Sequence, residues 1–303
     1  MSEMDTRLKN EIIPAPGVSF EQGFMSHSLE KQVAHCDHYE LANYFKKWLP
    51  LHQPILEAGC GSGRWVAWFV RNGWISTGLD WSEACCERAR QVIPEAKFVA
   101  GDMRNMPFDN EVFGAIVSLG AIEHSPEGPA SSLKEYYRVL QQGGIGIITV
   151  PYLSPIRKIH RLLTSPLKAL SRNSFLRQIL GKRVGSGEGK TIDEVRSESL
   201  SGFAADYILS INGWEFYQYH LSKPQMQIFL MEAGFEIIEE FIDFGDEGIL
   251  HNFGRVVGKY DYDNGKVSFS VIGKMLRKIL PVYLMGHMLC YLVRKNNMPE
   301  GTF

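Results

Sequence analysis

Between Pro54 and Val150 the chain alternates short apolar runs with amphipathic segments, and that alternation leaves few folds open. "PILEAG", "WISTGLD", "AKFVAG", "VFGAIVSLG" and "IGIITV" read as strands. Ser62 to Asn72, "SEACCERARQVI" and "PASSLKEYYRVL" read as helices, the last predicted to stop at Gly143 and Gly144, since glycine commonly follows a helix end. Strands alternating with helices imply parallel βαβ units in a doubly wound α/β sheet, with right-handed crossovers and a ligand at the carboxyl ends of the strands. The rhythm breaks after Val150 and resumes with a helix over "SKPQMQIFLMEAG", a strand over "FEIIEEFIDF" and a last strand over "HMLCYLV". The expected architecture is a mostly parallel seven-stranded sheet. A helical cap is expected over 1–50, the core over 51–151, a basic helical insertion over 152–222, and the remainder of the sheet over 223–303 with a second insertion at 245–285. Within the cap, 30–49 reads as one helix with Leu41, Tyr44, Phe45 and Trp48 on one face.

Length and charge narrow the partners. A chain of 303 residues, 45% hydrophobic and 22% charged, can bury a large core without staples. A net charge of −2 gives no global electrostatic case for nucleic acid. Five cysteines, with Cys85 and Cys86 adjacent on a predicted helix, argue against a disulfide framework and for a reducing compartment. The first residues, "MSEMDTRLKNEIIPAPG", lack the apolar core of a signal peptide. The longest nearly apolar run, Ile279 to Val293, contains Pro281, Gly286 and His287 and is too short to span a bilayer. A cytoplasmic protein is expected.

The first predicted strand ends in a glycine cluster, "ILEAGCGSGRW". A dinucleotide fingerprint requires G-x-G-x-x-G, whose third glycine lets the helix pack on the strand. Here Gly59, Gly61 and Gly63 are spaced G-x-G-x-G and Arg64 stands where the third glycine belongs; a Walker G-K-[ST] is absent too. "ExGCGSG", with Asp80 ending the next strand, resembles the class I S-adenosylmethionine-dependent methyltransferases. "LDWSEACCERA", "VAGDMRNMPFDNEVFGAIVSLGAIEH" and "LKEYYRVLQQGGIGIITVP" resemble that family's later motifs, in order and at its usual spacings. Within the family the chain is most similar to the small-molecule branch of the ubiquinone and menaquinone methyltransferases, over 50–151 and more loosely over 222–244 and 286–295.

The resemblance implies a Rossmann-like fold and S-adenosylmethionine as cofactor. In it the glycine loop lets the backbone approach the methionine part and ribose, Asp80 accepts from the ribose hydroxyls, and Asp102 and Met103 lie at the adenine edge. Glu57 either faces the methionine ammonium or anchors the loop; Trp81 either covers the adenosine or packs. Leu119 and Gly120 end the fourth strand, where their carbonyls can approach the ligand. The acceptor is expected to be a small or lipid-like metabolite methylated at O, N or C. Methyl transfer needs a base only if the acceptor must lose a proton. His124, in "AIEH", is the candidate; ordering the loop or touching the substrate are its other roles. Tyr152, Tyr217, Tyr219 and His220 flank the first insertion and are candidates for the acceptor pocket. "HCDH", His35 to His38, puts two histidines on one predicted helix face without a clear third ligand, so no metal is expected.

The first insertion is the most distinctive non-core feature. Over 152–190, Arg157, Lys158, Arg161, Lys168, Arg172, Arg177, Lys182, Arg183 and Lys190 stand against a single acid, Glu188, while Ile156, Ile159, Leu162, Leu163, Leu176, Ile179 and Leu180 recur at helical spacing. The second ends similarly, with Val271, Ile272, Met275, Leu276 and Ile279 against Lys274, Arg277 and Lys278. Such segments suit a lid over the acceptor, an acidic substrate, or peripheral contact with a membrane. The alternatives are a non-catalytic module that keeps the cofactor pocket, and a nicotinamide-dependent oxidoreductase on a similar sheet.

Overall fold

The computed structural model describes residues 29–159, 162–163, 190–210, 213–261 and 266–296. The expectations for Arg161, Lys168, Arg172, Leu176, Arg177, Ile179, Leu180, Lys182 and Arg183 lie outside the described residues.

Seven strands form the central sheet: β1 (Ile55–Ala58), β2 (Ser76–Asp80), β3 (Lys97–Ala100), β4 (Phe113–Leu119), β5 (Leu140–Pro151), β8 (Phe235–Asp243) and β11 (Met288–Lys295). They are ordered β3-β2-β1-β4-β5-β11-β8, with β11 antiparallel to both neighbours. Period-two alternation builds the two layers around the sheet. Leu56, Ile116, Ile148 and Tyr291 point to one core, with Leu133, Tyr136, Met226 and Leu230 from α5 (Ala130–Val139) and α7 (Lys223–Glu232). Ile55, Ala115, Ile147 and Cys290 point to the other, against α2 (Glu40–Trp48) and α3 (Arg64–Arg71). There Phe45, Trp65, Trp68 and Phe69 interlock edge to face. Removing one such ring costs about 3–5 kcal/mol. α4 (Glu83–Val92) packs on β2 and β3, its start capped by Ser82, whose hydroxyl accepts from the Cys85 amide at 3.2 Å.

Three local readings need correction. The expected helix over 30–49 is two, α1 (Leu29–Cys36) and α2, because Asp37 leaves the helix to accept hydrogen bonds from Trp68 Nε1 at 2.8 Å and Arg71 Nη2 at 2.5 Å. His35 and His38 therefore do not share a helix face. Gly143 and Gly144 do not end α5, which stops at Val139; they sit in an irregularity where β5 pairs Phe113 with Leu140 and then Ala115 with Ile145. A Cβ on Gly144 would stand 2.8 Å from the Gln141 carbonyl, so that bend tolerates no side chain.

Among the described residues the insertions also carry strands. The first carries α6 (Ile192–Ser197) and an antiparallel hairpin, β6 (Ala204–Ser210) with β7 (Gly213–His220). The second carries α8 (Gly245–Phe253), a hairpin of β9 (Gly258–Asp261) and β10 (Lys266–Phe269), then α9 (Val271–Ile279) and α10 (Val282–Met285). All five cysteines are buried, and none forms a disulfide. Among the described residues no helix is long and apolar enough to cross a membrane.

Candidate functional site

β1 and β4 lie side by side, while the helices that follow them leave to opposite faces of the sheet. Such a switch point opens a crevice at the strand ends. A cleft of ≈ 510 Å³ occupies it, within the range of small-molecule sites.

The sequence of the β1 turn dictates its shape. Gly59, Gly61 and Gly63 all have positive φ, at 80°, 52° and 77°. A Cβ on Gly59 would lie 2.5 Å from that of Ala121, so the loop reaches the end of β4 only without a side chain. Gly63 does another job. It stands outside the cleft lining, caps α3, and faces the Phe98 ring, 2.9 Å from where its Cβ would be.

Buried carboxylates hold this turn. Asp80 accepts from the Gly61 amide at 2.8 Å and from the Ser82 amide at 3.0 Å, tying the glycine loop to the end of β2. Glu57 accepts from the Val66 amide at 3.0 Å in the first turn of α3, so it does anchor the loop, and it also lines the cleft. Burial pushes its carboxyl up to about 8, against the opposing pull of Arg64. Arg64 lines the cleft as well, its guanidinium 6.0 Å over the Tyr39 ring.

Trp81, Met103 and Leu119 supply apolar surface to the lining, and Trp81 is 64% exposed, so it does not serve as core packing. Asp102 lines the cleft too, but its carboxylate is engaged: the Arg104 amide donates at 2.8 Å and the guanidinium at 2.7–3.0 Å. Arg104 also reaches Glu127 and holds the Asp102 carboxyl below its usual range. The signal was legible as "DMR", an arginine two residues after the acid.

The far wall comes from β7. The pairing of β6 with β7 jumps from Asp206–Gln218 to Tyr207–Phe216, which leaves Tyr217 as a bulge residue. Phe216 and Tyr217, adjacent in sequence, consequently both line the cleft. The Tyr217 carbonyl, a pure acceptor, lies 2.8 Å from His124 Nδ1, so that nitrogen carries the proton and Nε2 is left with the lone pair. Burial lowers the His124 pKa, which keeps the ring neutral near pH 7. Glu123, beside it, is buried with Oε1 4.0 Å from Nε2, and burial pushes its carboxyl up to about 8.

The other acceptor-pocket candidates lie elsewhere. Tyr219 is fully buried in the core and its hydroxyl donates to the Pro126 carbonyl at 2.5 Å. His220 is buried against Asp206 at 2.6 Å, and Tyr152 bridges to Leu221 beside β5. None of the three lines the cleft. Phe216, Arg64, Arg104 and Ser82 do, and were not singled out as site residues from sequence.

Comparison with known proteins agrees with this geometry. The family described as "Methyltransferase domain" matches residues 56–148, the span from β1 into β5. The phthiotriol/phenolphthiotriol dimycocerosates methyltransferase of Mycobacterium leprae is 30% identical over 176 residues, 54% of this chain and 63% of that protein. Its Mycobacterium tuberculosis counterpart is 30% identical over 179 residues, with the same shares. The chain thus spans 63% of the length of these curated relatives. Among solved structures, the S-adenosylmethionine-dependent methyltransferase of Methanosarcina mazei superposes with a TM-score of 0.52 at 15% identity, covering 84% of this chain and 98% of that one, a likeness of fold. Sheet order, glycine turn and matched family converge: residues 56–148 are a methyltransferase domain of the class I S-adenosylmethionine-dependent kind.

Proposed function

We propose that the protein methylates a hydroxyl oxygen of a lipid-like acceptor, using S-adenosylmethionine and His124 as the base. The cleft suits that cofactor. Asp80 offers carboxylate oxygens for ribose hydroxyls, Glu57 offers carboxyl oxygens that can accept from an ammonium, Arg64 offers a cation for a carboxylate, and Trp81, Met103 and Leu119 offer apolar surface to adenine. Asp102 would serve the adenine amine with the lone pairs that Arg104 leaves available. When bound, the cofactor supplies a methyl group on a sulfonium sulfur.

The observation that carries the choice of oxygen is the tautomer of His124. A neutral imidazole with Nδ1–H fixed on the Tyr217 carbonyl has its one lone pair at Nε2, and since His124 lines the cleft that lone pair is the one to take a hydroxyl proton. The bulge at Tyr217 holds that carbonyl in place, so the β6–β7 hairpin both covers the cleft and orients the base. We propose that this hairpin and the 245–285 segment form the acceptor lid. The lipid-like acceptor rests on the mycobacterial relatives, which act on phthiotriol and phenolphthiotriol dimycocerosates.

The test is methyl transfer from labelled S-adenosylmethionine to a hydroxylated lipid extract. His124→Ala should slow transfer roughly 10²–10⁴-fold, with S-adenosylhomocysteine affinity unchanged. Activity should also fall as the pH drops through the His124 pKa, which lies below 6.5, since only the neutral ring accepts a proton. Undiminished transfer by the variant would remove the base and, with it, the case for oxygen.

A further inference from the structure

We infer that the outer face of α9, with the helical residues 155–159 and 162–163, docks on an anionic lipid surface. The inference rests for its purpose on the lipid-like acceptor proposed above. Its physical basis is separate. On α9 the residues Gly273 and Leu276, followed by Leu280, turn inward toward Ile249, Val257 and Met285. Val271, Met275 and Ile279 do not: they are 78%, 58% and 67% exposed, with Ile272 beside them. At 100° per residue these four occupy one arc next to the buried one, and Lys274 and Lys278 fall on its opposite flank. An open apolar arc edged by lysines is the arrangement of a helix lying in a membrane interface.

A second segment presents the same chemistry from the same small core. Ile156 packs against that cluster, while Ile159, Leu162 and Leu163 are exposed and Lys158 stands among them. Charge selects the occupant. The stretch 266–279 holds Lys266, Lys274, Arg277 and Lys278 and no acid; among the described residues Arg277 pairs with Asp246 at 2.8 Å. Two copies of the chain meeting on this face would bring lysine rows together. The chain's own 164–189 is also cationic, with Lys168, Arg172, Arg177, Lys182 and Arg183 against Glu188. Anionic headgroups complement the rim, and acyl chains complement the arc. The segment connects to the cleft through one intermediary: the Tyr260 hydroxyl is 3.2 Å from that of Tyr39, over whose ring the cleft-lining Arg64 lies. Docking here would bring a bilayer-held acceptor to the lid side of the site.

The test is co-sedimentation of the full chain with vesicles of phosphatidylcholine, with and without phosphatidylglycerol. The protein should pellet with the anionic vesicles and far less with the neutral ones. Lys274→Gln with Lys278→Gln should weaken binding roughly thirtyfold, and Met275→Ser with Ile279→Ser should abolish it. Both pairs are on the surface, so thermal stability and S-adenosylhomocysteine affinity should stay as in the parent. Vesicle binding unaltered in the Met275/Ile279 variant, or absent in the parent, overturns the inference. So does a dimer that this variant converts to monomer, since a second copy would then cover the face. Loss of S-adenosylhomocysteine binding by the parent would instead sink the methyltransferase reading, so the two failures are distinguishable.

Discussion

The two walls of the cleft are made in opposite ways. The wall at the ends of β1, β2 and β4 is backbone: three positive-φ glycines and the amides of Gly61, Ser82 and Val66, fixed by Asp80 and Glu57. Behind it stands a core cluster of twenty-one buried residues. The β6–β7 hairpin, which meets the site through Phe216 and Tyr217, sends Tyr219 into that same core. The 245–285 segment rests on less, a cluster of three buried residues, Ile249, Val257 and Met285. A wall organised by buried hydrogen bonds pre-forms a site for one constant ligand. A segment with a thin core opens locally at low cost, as access for the lipid-like acceptor proposed above would demand.

Substitutions can break that contrast. The largest effect is expected from Gly59→Ala, which combines a φ of 80° with a contact 2.5 Å from the Ala121 Cβ. It should cost roughly 3 kcal/mol in chemical denaturation and weaken S-adenosylhomocysteine binding, because the loop must retreat from β4. Ile249→Ala should cost about 2 kcal/mol or more, felt mainly as faster amide exchange over 245–285, with cofactor affinity within about twofold. Equal acceleration of exchange across the whole sheet would mean the cover is not a separate unit. Glu123→Gln should act through pH. A carboxyl raised from 4.5 to about 8 on folding keeps its proton in the native state while the unfolded chain releases it. Stability then falls as pH rises through that window, by on the order of 1 kcal/mol per unit for one group. Glu57 adds a like slope, so Glu123→Gln should flatten the dependence by about half rather than remove it.

Much of the first wall was legible because local rules govern it. Strands such as "PILEAG" reveal themselves by apolar runs, and a glycine triplet admits one kind of turn. The strand-end acid Asp80 then falls where the turn needs an anchor. The Asp102–Arg104 pairing was missed although both residues lie within three positions, since an ion pair leaves no periodic trace. The other wall depends on contacts that sequence spacing does not encode. Alternation along β7 cannot show that Tyr217 is a bulge residue, for the bulge is defined by its pairing with β6. Nor can it show that Tyr219 turns into the core. The break between α1 and α2 likewise follows from Asp37 meeting Trp68 and Arg71, more than thirty positions away.

Asp80 anchors the glycine loop and is the proposed partner of the cofactor ribose. Calorimetric titration of S-adenosylhomocysteine into the parent and into Asp80→Ala tests that role most directly. The parent should bind at micromolar affinity or tighter, and the variant should lose about a hundredfold, as expected when charge-assisted hydrogen bonds are removed from both loop and ligand. Equal affinity in the two proteins, or no binding by either, would contradict it.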